Sequence, residues 1–447
     1  MAKFDKSLGK CPDNSVGKVF SERFCVVPKK RCLHHEEHDL IIVGAGPAGL
    51  FCAINSRYKD KKILVLEKKK SPGRKLLVSG SGQCNITHDG DIRSFLDHYG
   101  DHGRFLRPAL FGFTNQDLIS FFEDKGLGMV PAEGGKIFPE SLRSRDVLDV
   151  LVRECNARDV HFRYDQNVKS IIRSEDGFQV ATEGSAYRSQ FLVIATGGRS
   201  YPATGSDGDG YGFARDLGHN ITDTGPALTP VRIKDYPFLE LAGISFPEME
   251  ISLYRGKKIK EFRGDVLFTH QGLSGPGILD LSRHIRANDT LKLSFVQGKS
   301  RAELEEWLLD EVKLDGSRGI KSIIADLSLP NRVTAKIIEL SGILPGLKCA
   351  HLTREMRSNL LDNLAGFPMT IEALGGFSVA MATRGGVDLK EVNPKTMESR
   401  LAEGLYLAGE VLDIDGDTGG YNLQAAFSTG MMAAKSILQR WAQSVKP

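Results

Sequence analysis

Four short apolar runs stand out from an otherwise mixed chain: Leu40-Ile41-Ile42-Val43, Ile63-Leu64-Val65-Leu66, Leu192-Val193-Ile194-Ala195 and Leu405-Tyr406-Leu407-Ala408. Unbroken runs of this kind suit strands covered on both faces, as in a parallel sheet between helices. Around them lie alternating stretches at 161–164, 168–173, 178–182 and 187–191, which read as half-buried strands. Helical spacing recurs at 116–125, through Leu118, Ile119, Phe121 and Phe122, and at 141–156, through Val147, Leu148, Leu151 and Val152. The middle changes character. Residues 226–298 alternate as β-structure, with strands at 249–254 and 291–295 and turns such as 254–257. Residues 300–365 return to helical spacing through Leu304, Trp307, Leu308, Val333, Ile337 and Ile338. The pattern predicts an α/β sheet, a small barrel or sandwich, a helical piece inserted into it, and a closing helix at 423–441.

The first run leads into Gly44-Ala45-Gly46-Pro47-Ala48-Gly49. Gly44 lets the chain turn where a Cβ would clash, Gly46 lets backbone approach a pyrophosphate, and Gly49 lets the helix lie close on the strand. The helix start also aims free N–H groups at that anion. Glu67 closes the second run about 20 residues on, where this fold holds an adenosine ribose by its hydroxyls. A polar, glycine-spaced loop follows at 73–87. Such a loop is costly to order unless something occupies it, and Ser79, Asn85 and Thr87, with Gly80 and Gly82, offer polar groups and amides to a ligand. The segment 133–139 reads as a turn whose charged ends reach a pocket, and the Gly- and Asp-rich 201–212 as a crossing between domains. The last run leads through acids and glycines at 413–422 into the closing helix, again presenting amides to whatever sits above it.

Composition narrows the classes. With 41% hydrophobic and 26% charged residues, and no apolar run near the roughly 20 residues of a membrane span, the chain reads as a soluble cytoplasmic protein of two or three units. A formal charge of +3 neither demands nor excludes a polyanionic partner. Seven cysteines with no Cys-x-x-Cys pair fit reduced thiols and exclude a dithiol reductase; Cys84, inside the polar loop, is the one with a functional reading. His34, His35 and His38 read as a solvated turn, and Asp413, Asp415 and Asp417 lack the spacing of a calcium loop, so no metal is expected. Residues 1–37 read as a disordered extension with no secretory core; Asp5, Asp13 and Glu22 argue against an organelle transit peptide.

Four blocks, at 73–87, 268–276, 392–399 and 408–424, make the chain resemble the HI0933-like flavoproteins over residues 38–440. These are FAD-dependent oxidoreductases of the glutathione-reductase-like two-dinucleotide superfamily. The resemblance implies a Rossmann-like FAD-binding domain at 38–204 and 385–447, a β-barrel insertion at 205–298 and 366–384, and a small helical insertion at 299–365. It implies that Gly44, Ala45, Gly46, Pro47, Ala48 and Gly49 surround the FAD pyrophosphate, with Glu67 and Lys68 at the adenosine ribose. Arg74, Lys75, Ser79, Gly80, Gly82, Cys84 and Asn85 would line the FAD, and Val168 would meet the adenine through its backbone. Ala195, Thr196 and Gly197 would pass beneath the nucleotide. Gly409 and Glu410 would take the ribityl or pyrophosphate side, with Gly420, Tyr421, Asn422 and Leu423 close to the flavin ring. Gln83 and Lys136 depart from the family, which commonly has Arg at both, so a planar guanidinium fork is lost there.

The flavin would carry the redox chemistry, with the protein supplying position and electrostatics. No Ser-His-Asp set, carboxylate pair or cysteine couple is visible; His270 and Tyr421 are the candidates for a chemical role, against a packed histidine and a flavin-stacking tyrosine. Three functions remain open: an NAD(P)H-dependent reductase of an electron-poor C=C or related acceptor, an O₂-using amine or amino-ketone oxidase, and a ribosome- or RNA-associated flavoprotein. A small-molecule substrate fits the first two, and RNA the third, where uridine reduction in ribosomal RNA would unite it with the first.

Overall fold

The structure is a computed structural model describing residues 35–444. The four apolar runs become neighbours in one sheet, where His161–Arg163, Ile63–Leu66, His35–Val43 and Ala186–Ile194 lie parallel in that order. Leu405–Leu407 adds a fifth parallel strand beside the end of Ala186–Ile194, while the first half of that strand takes the antiparallel hairpin Val168–Ser174 and Gly177–Thr182. Register explains the unbroken apolar runs: Ile41 faces Leu64 on one side and Leu192 on the other, and none of the three has exposed surface. Each such side chain contributes about 1.5–3 kcal/mol by leaving water.

Helix Pro47–Asn55 is buried along nearly its whole length, with Pro47 at its first turn and Gly46 as its cap. It lies against the closing helix Tyr421–Ser444, where a Cβ on Gly430 would stand 2.5 Å from the Ala48 carbonyl oxygen. Only glycine allows that crossing.

A second core forms in the middle of the chain. Val231–Ile233, Gly272–Ser274, Lys257–Phe268, Ser245–Arg255, Thr290–Ser294 and Phe367–Leu374 close into an antiparallel barrel in that order. Between the last two strands the chain makes helices Arg301–Leu314, Ile320–Ala325, Asn331–Leu340 and Arg354–Gly366, whose Leu304, Ile323, Ile337 and Leu360 share one core with the barrel's Phe238, Phe268 and Phe295. A two-stranded ribbon, Gly225–Ala227 with Ala382–Arg384, carries the chain in and out. The fold is therefore α/β, a Rossmann-like domain with an inserted barrel that itself carries helices.

Several expectations are corrected. The first strand begins at His35, pairing with Ala186, so 35–37 belong to the sheet; the rest of the expected extension lies outside the described residues. His38 is a buried strand residue, its Nε2 against Glu36 at 3.2 Å, and not part of a solvated turn. Segment 133–139 contains strand Lys136–Pro139, which pairs with Thr87–His88 and Met129–Ala132. Within 201–212 a helix starts, Asp209–Asp216, and packs near strand Val168–Ser174, so the chain leaves the sheet layer later than the pattern implied. Helix Gly103–Gly112 escaped the periodicity because Pro108 interrupts it; its buried Leu106, Ala109 and Leu110 pack toward the closing helix. No helix among the described residues is long and apolar enough to cross a membrane.

Candidate active site

A cavity of about 660 Å³ opens where the strand ends, the loop 73–87, the closing helix and the barrel meet. Its wall includes the glycine turn, and the three glycines serve it differently. A Cβ on Gly44 would come within 2.5 Å of the Ala195 carbonyl, and one on Gly49 within 2.0 Å of the Gly44 carbonyl, so both are fixed by backbone packing. A Cβ on Gly46 would meet nothing within 4 Å. Gly46 borders open cavity at the start of a helix, which is the space a dinucleotide pyrophosphate requires. The residues present fit FAD there.

Glu67 stands beside this turn. Ala45 N–H donates to its Oε2 at 3.0 Å and Lys69 N–H to its Oε1 at 2.9 Å, which orients the carboxylate on the cavity wall. Burial pushes its carboxyl above the usual range, against the pull of these amides and of Lys68. Lys68 reaches over to Asp207 and Asp209, both at 2.6 Å, tying the second strand's end to the 201–209 segment.

The loop 73–87 is held in left-handed backbone at Gly80, Ser81, Gly82 and Cys84, with φ between 54° and 88°. That conformation is strained at Ser81 and Cys84. It turns Arg74, Lys75, Ser79, Gly80, Ser81, Gln83 and Asn85 onto the cavity wall. Lys75 pairs with Glu410 and Ser200, and Glu410 also accepts from Ser200 Oγ at 3.1 Å and from Thr383 N–H at 2.9 Å. Glu410 thus joins three separate parts of the chain beneath the cavity.

Of the residues singled out in the sequence, Gly44 to Ala48, Glu67, Lys68, Arg74, Lys75, Ser79, Gly80, Asn85, Val168, Ala195 to Gly197, Gly409, Glu410, Gly420, Asn422 and Leu423 line the cavity. Gly49, Gly82, Cys84, Thr87 and Tyr421 do not; Thr87 is buried and donates through Oγ1 to Gln424 Oε1 at 2.6 Å. Cys84 is fully buried and its thiol is pushed up to about 12 by desolvation, so it is an inert packing residue. The Tyr421 ring is sandwiched at 4.0 Å from His98 and 5.4 Å from His88, behind the wall. His270 is exposed on a barrel turn and is absent from the cavity wall.

Leu228, Leu279 and Met381, from the barrel side, also line the cavity, as do Phe138, Asp417 and Thr418. Sequence reading missed the first three because nothing local marks an apolar residue near the barrel's junction as facing a ligand.

The family model for the HI0933-like protein Rossmann domain matches residues 38–436. The chain belongs to the HI0933-like family. Within it, the chain is 32% identical over 411 residues to a ribosomal RNA dihydrouridine synthase of Escherichia coli, covering 90% of this chain and 98% of that one. It is 30% identical over 415 residues to a 3-dehydro-bile acid delta(4,6)-reductase of Clostridium scindens, covering 89% and 98%. Among solved structures, E. coli quinol fumarate reductase aligns over 92% of this chain and 71% of that one, at 15% identity and a TM-score of 0.49. This HI0933-like chain is an FAD-dependent oxidoreductase.

Proposed function

We propose that this flavoprotein reduces an electron-poor ring C=C bond, with NAD(P)H as the electron donor. One observation carries the reading. The apolar barrel-side residues Leu228, Leu279 and Met381 share a cavity wall with Asp417 to Gly420, Asn422 and Leu423, so the wall beside the start of the closing helix is apolar on its barrel side, as an apolar ring would require. The names of the two relatives support it: dihydrouridine is uridine with its ring C=C hydrogenated, and the bile-acid relative is named a reductase. Bound FAD would supply hydride transfer. In this reading Gly46 gives its backbone to the pyrophosphate, Glu67 accepts from the ribose hydroxyls, and Lys75, held by Glu410, places positive charge near the phosphates. Gly420 and Asn422, on the cavity wall at the helix start, would lie beside the flavin ring, where helix-start N–H groups would favour negative charge.

The deciding experiment is anaerobic stopped-flow absorbance at the flavin band, mixing the purified protein separately with NADH and NADPH and then admitting air. Rapid bleaching followed by slow recovery in air is expected. Bleaching by amines or amino-ketones alone would replace the reductase with an oxidase. Failure to bind FAD at all would overturn both.

A further inference from the structure

A reduction of this kind needs a proton as well as a hydride, and the cavity wall contains a polar pair suited to supply it. Asp280 lies in the short helix Pro276–Leu281 on the barrel side and reaches the loop before the closing helix. Thr418 meets it twice, its N–H donating to Oδ1 at 2.6 Å and its Oγ1 lying 3.1 Å from Oδ2. Thr418 lines the cavity, and so does Leu279, the neighbour of Asp280. The carboxyl is therefore one hydroxyl away from the space assigned to the substrate.

The charged and titratable groups facing Asp280 are Asp417, Arg283 and Tyr421. Arg283 is committed to Asp415 at 3.2 Å and Asp417 at 2.7 Å, and Asp417 in turn meets His98 Nδ1 at 3.0 Å. Desolvation first, and the charge of Asp417 second, push the Asp280 carboxyl up to about 7, with Thr418 and Arg283 pulling the other way. A neutral Asp280 reverses the hydroxyl contact. Its O–H donates to Thr418 Oγ1, and the Thr418 hydroxyl proton is then free to turn into the cavity.

Resting on the reductase reading, we propose that Thr418 hands a proton to the substrate carbon next to the carbonyl and that Asp280 refills the Thr418 hydroxyl. The Thr418 O–H bond breaks as the new C–H bond forms, and the Asp280 O–H bond breaks as the Thr418 hydroxyl is restored. Asp280 is left as a carboxylate and regains its proton from water. The hydride and its electron pair come from the reduced flavin, with NAD(P)H as the ultimate reductant. Thr418 is the group that touches substrate; Asp280 acts through it.

The test uses holoenzyme reduced with dithionite and follows return of the flavin band on mixing with cyclohexenone or uridine across pH. Wild-type reoxidation is expected to fall about tenfold per pH unit above about 7. Asp280→Asn should remove that break. Thr418→Val should slow the reaction at least about tenfold at every pH with unchanged flavin content, and Thr418→Ser should restore it. A second readout needs no flavin. Because the folded-state carboxyl lies above its ordinary value, its contribution to stability is complete below the ordinary carboxylate range and is lost as pH rises through about 7. The Tm of Asp280→Asn minus that of wild type should therefore climb from about pH 4 to about pH 7 and level off above it. A flat difference, a retained pH break in Asp280→Asn, or a Thr418→Val enzyme as fast as wild type would each overturn the relay while leaving the reductase standing. A wild-type holoenzyme that neither acceptor reoxidises would overturn the reductase reading and the relay together.

Discussion

The sheet region and the barrel are built from the same apolar residues but held in different ways. In the sheet region, backbone touches backbone: Gly44 against Ala195, Gly49 against Gly44 and Gly430 against Ala48 leave no room for a Cβ. In the barrel, rings fill the interior: Phe238 has Phe367 at 4.8 Å, Phe268 at 5.4 Å and Phe295 at 5.8 Å between ring centres. The first arrangement fixes where amide groups point, which a dinucleotide site requires. The second fixes a volume and leaves its rim to carry a few side chains, Leu228, Leu279 and Met381, into the cavity. At the dinucleotide turn position is inherited from glycine, and in the middle of the barrel from side-chain packing.

Substitutions can break or sharpen that contrast. Phe238→Ala should have the largest effect on stability, about 3–5 kcal/mol by urea unfolding, because it empties the middle of the barrel core. Flavin content per folded molecule should stay near wild type; parallel loss of flavin would mean that the two regions are not separable. Gly49→Ala should cost about 1–3 kcal/mol, since the new Cβ meets backbone that cannot give way. Unlike the barrel change, it should also deplete flavin, measured as the absorbance ratio of the purified protein. Gly46→Val should cost only about 1 kcal/mol, the price of a poor helix cap, yet abolish flavin retention in a soluble chain. A fully flavinated Gly46→Val protein would remove the pyrophosphate from this turn. Lys68→Met should have the smallest effect, about 0.5 kcal/mol, because Asp207 and Asp209 are partly exposed. Its trace would be faster flavin release at low salt, converging on wild type as salt screens the pairs.

The site was legible in the sequence to the extent that it is made of backbone. The turn from Gly44 to Gly49 and the 73–87 loop announce themselves because few residue types permit those conformations, and Glu67 because an acid ends an apolar run. Two side chains in such segments turn away from the cavity, although Arg74, Lys75, Ser79 and Asn85 face it: Cys84 points into the core, and Tyr421 stacks between two histidines. Helix Gly103–Gly112 shows a related limit, since Pro108 masked a face that only contact with the closing helix reveals.

The sequence alone determined the strand order's ingredients, the glycine positions, the β-to-helix change within the insertion and the family. Those are properties of periodicity and of backbone freedom, which are local. Tertiary structure decided that Asp280 meets Thr418, 138 residues away in sequence, and that Arg283 joins Asp415 and Asp417 at the same junction. It also decided which apolar side chains face the cavity and which fill a core. Such facts depend on how two separately formed cores come together, and a carboxylate's proton affinity follows from the burial and charges found only there.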